Sequence, residues 1–178
     1  CSIFALEDCT IDGGHFDVLM KGSDRLSAGP LSIEAIHTPG HTPACLTYRI
    51  GDALFVGDAI VMPDYGPGRC DFPGGSASAL YDSIQRIYAF PDETRIFTCH
   101  DYLPGGRELR FESTVGGQKR ENVQLNSKTS HDDYVAFREK RDAELSMPKL
   151  LLPSLQINIR GGRLPEPEAI ESARGSPA

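Results

Sequence analysis

Three residues in this sequence stand where a metal ligand or a proton carrier could be delivered: His41, Asp58 and His100. Each follows on a short apolar run with the patterning of a β-strand. Leu31–His37 leads into Thr38-Pro39-Gly40-His41-Thr42. Ala53-Leu54-Phe55-Val56-Gly57 ends in Asp58, and Arg95-Ile96-Phe97-Thr98-Cys99 ends in His100, with Asp101 and Tyr102 behind it. His37 and His41 are spaced like a helical metal pair, but Pro39 and Gly40 forbid a regular helix between them. His41 therefore belongs to a tight loop. A carboxylate at the rim of a buried strand needs a cation or hydrogen-bond donors, and open α/β sheets bind ligands beyond the carboxyl ends of their strands. Two imidazoles and a carboxylate gathered there make a donor set for a transition metal. Taken singly, each has a plainer reading: a histidine after a strand is commonly a hydrogen-bonded loop residue, and Gly-Asp is common in turns. The repetition of the placement is what points to metal. His15 and His131 lack it and read as solvent-facing or capping residues; His37 reads at most as a residue that orients a ligand.

Those positions need elements that bring strand ends together. Phe16–Met20 and Leu31–His37 read as strands on either side of a turn-rich segment, Lys21–Pro30. Ala44–Ile50 and Ala53–Val56 flank Gly51-Asp52, a strong hairpin signal. Tyr65–Gly75 is a Gly/Pro loop. Leu80, Ile84, Ile87 and Tyr88 recur at helical spacing, which predicts a helix over Ser76–Ala89 that Pro91 stops. Arg95–Cys99 is a further strand, Thr114–Leu125 and Asp132–Leu145 are helical, Leu150–Ile159 is extended, and the stretch after Arg160 is a loose tail. Strands first, then strands and helices in alternation, give an α/β (α+β) domain without repeats.

Composition sets the outer limits. The chain of 178 residues suits one domain, and 39% hydrophobic residues can bury a core, which excludes intrinsic disorder. With 18 basic against 25 acidic side chains, the net charge of −7 argues against nucleic acid or an anionic membrane as partner. The longest stretch without a charged residue, Ala35–Tyr48, has 14 residues and two prolines. A membrane span needs about 18 apolar residues. The first residues lack the profile of a signal peptide. Cys1, Cys9, Cys45, Cys70 and Cys99 are an odd number with no CxxC spacing, which reads as reduced thiols in a cytosol-like compartment. Cys70 and Cys99 read as small buried residues rather than nucleophiles. The first residue is Cys rather than Met, which fits a processed product or part of a longer protein.

His37-Thr38-Pro39-Gly40-His41-Thr42, then Val56-Gly57-Asp58-Ala59, then Cys99-His100-Asp101-Tyr102 resemble, in order and spacing, the later metal motifs of the metallo-β-lactamase superfamily. Within it, Gly68-Arg69-Cys70-Asp71-Phe72, Met147-Pro148-Lys149 and Asn158-Ile159-Arg160 look like the persulfide dioxygenases and the bacterial β-lactamase-hydrolase-like enzymes. The resemblance runs from about Asp8 to about Pro165. It implies the C-terminal two-thirds of an αββα sandwich: a partial domain over 1–165 and a loose tail over 166–178. The superfamily's first motif, His-x-His-x-Asp-His, is not in the sequence, and the resemblance places it upstream of residue 1.

The resemblance also implies chemistry. One Fe(II) would be held by His41, Asp58 and a histidine of the first motif, with Zn as the alternative metal. His100 would serve a second metal or flank the first. Two histidines and a carboxylate leave positions open for a sulfur and O2 together. The implied reaction oxidises glutathione persulfide, or a similar small persulfide, to sulfite. Arg69 would place the anionic substrate or brace its loop on a carboxylate; Tyr102 would donate a hydrogen bond at the reacting atoms; Asp101 would support the ligands from behind. The competing enzyme is a hydroxyacylglutathione-type thioester hydrolase that uses a metal-bound hydroxide. The competing non-enzyme is a fragment that needs its missing half. The expected partners are the persulfide and O2, with association into a dimer or with the missing segment. The expected location is a bacterial cytoplasm or a mitochondrial matrix.

Overall fold

The structure, a computed structural model, describes residues 12–164. Two compact units divide them: Met20–Leu145, and what is described of Cys1–Leu19 together with Ser146–Ala178. The tail over 166–178, Cys1 and Cys9 lie outside the described residues.

The larger unit is a mixed α/β fold around one six-stranded sheet. Its strands are β1 (Arg25–Ala28), β2 (Leu31–His37), β3 (Leu46–Ile50), β4 (Ala53–Phe55), β5 (Arg95–Phe97) and β6 (Glu112–Thr114), and they lie in sequence order across the sheet. All neighbours are antiparallel except β4 and β5, where Leu54 faces Ile96 and Phe55 faces Phe97 in a parallel pair. A parallel pair needs a long crossover, and α1 (Ala77–Tyr88) supplies it. Ser76 caps α1 by accepting from the Ala79 N–H, and its apolar stripe of Leu80, Ile84 and Ile87 is fully buried against Leu54, Val56, Ile60 and Ile96. Helices α2 (Val115–Glu121) and α3 (His131–Asp142) add Val115 and Tyr134 to that core. The opposite face carries a run of aromatic rings, Phe55 on Phe97 at 5.1 Å and Phe97 on Phe111 at 6.5 Å.

Several elements differ from expectation. The stretch Phe16–Met20 is irregular, because alternation gives a strand no pairing partner. The turn-rich Lys21–Pro30 segment holds β1 instead: Gly29, at φ 58°, turns the chain so that Ala28 pairs with Leu31. Strand β6 was not foreseen. Helix α2 stops at Glu121, four residues short of Leu125, because the Asn122 side chain accepts from the Gln124 and Leu125 N–H groups and turns the chain out. In the smaller unit Leu150–Ile159 is not extended but carries α4 (Leu151–Ile159). Pro153 sits in its first turn, where a missing N–H costs nothing.

Candidate metal centre

The loop that carries His41 is fastened to α1. Ser83 Oγ donates to the Pro39 carbonyl at 2.7 Å, and the Ser76 N–H donates to the Gly40 carbonyl at 2.8 Å. Gly40, at φ 138°, lies so close to the helix that a Cβ there would meet the Leu80 backbone at 2.4 Å. Asp58 follows a turn in which Gly57 takes φ 56° and the Ala59 N–H donates to the Val56 carbonyl at 3.2 Å. His100 follows β5, the parallel neighbour of the Asp58 strand. Sheet topology thus brings the three residues to one end of the sheet.

Asp58 stands between the two imidazoles. One carboxylate oxygen lies 3.8 Å from His41 Nε2, and the other lies 3.3 Å from His100 Nε2. His41 is the more enclosed imidazole, and Phe72 meets its ring edge-on at 5.0 Å. Its Nδ1 donates to the Arg69 carbonyl at 2.7 Å, so a neutral ring keeps its Nε2 lone pair toward Asp58. A lone pair facing a carboxylate is held apart only by a proton or a cation, and a histidine fixed through its second nitrogen is the usual state of a metal ligand. His41 and Asp58 therefore fit a cation as two ligands of a partial shell, with His100 beside Asp58. Among the described residues no group of three or more His, Cys, Asp or Glu side chains is arranged to hold a metal.

The remaining residues surround this group. Arg69 is clamped on Asp71 through Nε and Nη2, both at 2.5 Å, and stacks over Phe72. That pairing holds the Asp71 carboxyl below its ordinary range. Tyr102 lies flat on Tyr65 at 4.2 Å, with its ring 6.2 Å from His100, and more than half of it is exposed. The Arg141 guanidinium also lies over the Tyr65 ring, 5.4 Å from its centroid. The Asp101 carboxylate takes both Nη groups of Arg107, which also grips Asp64. Arg107 holds Asp101 well below the usual carboxylate range. Asp101 therefore braces the 101–112 segment.

His37 is elsewhere: its Nε2 bonds the Pro43 carbonyl, and it lines a separate cleft of about 610 Å³ with Lys21, Glu34 and Arg86. His131 is not the cap, and its side chain is half-exposed. Ser130 caps α3, and His131 ties it to α1 through Ser78 Oγ at 2.9 Å. Cys70 is buried, which pushes its thiol up to about 12 and excludes a thiolate at neutral pH. Cys99 is exposed rather than buried. Tyr65, Arg107, Arg138 and Asp142 escaped sequence reasoning; the last two, four apart on a helix, look there like an ordinary surface ion pair.

The profile of the metallo-beta-lactamase superfamily matches residues 8–100. The chain belongs to that superfamily. Its members are metal-binding enzymes, and the mixed α/β fold is theirs. A probable metallo-hydrolase of Burkholderia pseudomallei is 52% identical over 88% of this chain. The mitochondrial persulfide dioxygenase ETHE1 of Bos taurus is 35% identical over 85% of it. The crystal structure of ETHE1 from Myxococcus xanthus superposes with a TM-score of 0.74 at 31% identity, covering 87% of this chain. The chain spans 57% of the length of both relatives and 65% of the solved chain. No helix among the described residues is long and apolar enough to cross a membrane.

Proposed function

We propose that this chain carries part of the iron site of a persulfide dioxygenase, converting a small thiol persulfide, O2 and water into the thiol and sulfite. In that reaction RSSH + O2 + H2O gives RSH, sulfite and two protons: the outer sulfur loses four electrons and O2 gains them. The supporting observation is the His41–Asp58 pair, with the His41 lone pair aimed at the carboxylate beside an Arg69/Tyr102 rim. Bound there, Fe(II) would supply open positions at which sulfur and O2 meet. The protein's own groups do the rest. His41 and Asp58 would hold the metal, with His100 flanking it. Arg69, anchored on Asp71, adds a positive charge at the rim that would favour an anionic substrate. Tyr102, stacked on Tyr65 with its ring 6.2 Å from that of His100, would supply an O–H donor at the rim. Such a reaction belongs in a bacterial cytoplasm or a mitochondrial matrix.

A second reading has its own support. Asp58 presents one oxygen to each histidine, the placement a carboxylate takes between two metals, and the Burkholderia relative is named a metallo-hydrolase. That reading is hydrolysis of a glutathione thioester by a metal-bound hydroxide. One experiment separates them. The protein, with whatever further segment its gene encodes, is loaded with iron or zinc and offered glutathione persulfide or S-lactoylglutathione. Oxygen uptake matched by sulfite, at one iron per site, supports the dioxygenase. Thioester cleavage without oxygen uptake, at two metals per site, supports the hydrolase. Neither activity in a metal-loaded protein leaves the non-catalytic reading.

A further inference from the structure

Two charges in the interior are a cost that favourable geometry must offset, and α3 carries such a pair: Arg138 and Asp142, with side chains 2% and 7% exposed. Asp142 Oδ1 accepts from Arg138 Nη2 at 2.5 Å, and Arg138 Nη1 donates to the Pro67 carbonyl at 3.3 Å. The other carboxylate oxygen, Asp142 Oδ2, accepts from the Cys70 N–H at 2.7 Å. That N–H belongs to the same peptide unit as the Arg69 carbonyl, which takes the Nδ1 proton of His41 at 2.7 Å. One planar group is therefore held on its two edges, by a buried carboxylate on one and by the histidine on the other. Peptide planarity leaves it no independent motion, and hydrogen bonds in series polarise one another. Gly68, one residue earlier, approaches Asp58 so closely that a Cβ would lie 2.1 Å from its carbonyl oxygen and 3.2 Å from His41 Nδ1.

We propose that Asp142, held by Arg138, is a positioning residue for the metal site: a carboxylate that orients and polarises His41 through the intervening 69–70 peptide. Metal-binding histidines commonly donate their second nitrogen to a carboxylate or a carbonyl; here the carbonyl is itself backed by a carboxylate. Arg138 fixes the start of the same segment at Pro67, so α3 grips residues 67–70 at both ends. The inference rests on His41 being a metal ligand.

The test measures metal affinity by Zn(II) titration against a chromophoric chelator, and the His41 tautomer by long-range ¹H–¹⁵N NMR of the metal-free protein. In the wild type His41 is expected as the Nδ1–H tautomer; an Nε2–H ring would overturn the proposal without any variant. Arg138→Met/Asp142→Leu removes both charges while keeping the interior filled. It is expected to stay folded by near-UV circular dichroism, to show Nε2–H His41 alongside Nδ1–H, and to bind Zn(II) about 10- to 100-fold more weakly. A folded double variant with wild-type affinity and an unmixed Nδ1–H ring would overturn the relay. His41→Ala is the control: retention of wild-type Zn(II) affinity there would defeat the ligand assignment itself, separately from the relay.

Discussion

At the scale of single residues, the cluster is organised around one carboxylate. Asp58 lies within 3.8 Å of both imidazole Nε2 atoms, and a neutral amide is a far poorer metal ligand than a carboxylate. Asp58→Asn is expected to lose most bound metal while leaving the fold intact, read as metal content per protein beside an unchanged thermal unfolding curve. Arg107 organises a second group with the opposite logic, since its partners are carboxylates with folded-state pKa values below the ordinary 3.8. Their stabilising effect is complete above pH 3.8, where the unfolded chain is ionised too. It drains away as pH falls through the lowered folded values. Thermal unfolding between pH 5 and pH 2 should therefore show these ion pairs lost only below pH 3.8. Arg107→Met should shrink that loss: the variant is less stable at neutral pH, and its stability falls less steeply across the acid range. His41, Asp58 and His100 were legible in the sequence because each sits at a strand end that local patterning reveals. Asp142 was not, because its role depends on Cys70, seventy-two positions away.

At the scale of elements, helix α1 decides where the first imidazole stands. It received its boundaries directly from sequence: a Ser cap, an apolar stripe at helical spacing and a proline stop. Its second task, as a wall for the His41 loop, depends on Gly40. Gly40→Ala would force a Cβ onto the Leu80 backbone at a positive φ, so a destabilisation of at least about 3 kcal/mol is expected. Chemical denaturation measures it, and metal content should fall with it. Strand β6 and helix α4 escaped sequence reasoning for opposite reasons. Three residues of β6 are too few to display alternation. The apolar run at 150–159 is too short for length to choose between strand and helix, and Pro153 argues for a helix only once it is known to lie in the first turn.

At the scale of the whole molecule, the sheet buries one face under α1, α2 and α3 and leaves Phe55 and Phe111 of the opposite aromatic row 41% and 58% exposed. Exposed aromatic rings of this kind make a candidate association surface. The 178-residue polypeptide on its own is expected to pair with a second copy through it. Sedimentation should show mass rising with concentration, and Phe55→Ser/Phe111→Ser should restore a monomer. A wild-type monomer at every concentration would exclude that pairing.

The parallel contact between β4 and β5 also orders events in time. Asp58 and His100 come from these two strands, and the strands meet only after the intervening chain, α1 included, has wrapped across the sheet. Closing so long a loop must be completed before its contacts repay the lost entropy. The Asp58–His100 contact is thus absent until that crossover closes, and an ion added to the denatured chain finds no template there. In stopped-flow refolding with a Zn(II)-responsive dye, metal capture is expected to track the formation of the β4–β5 core. Raising Zn(II) should leave that rate unchanged.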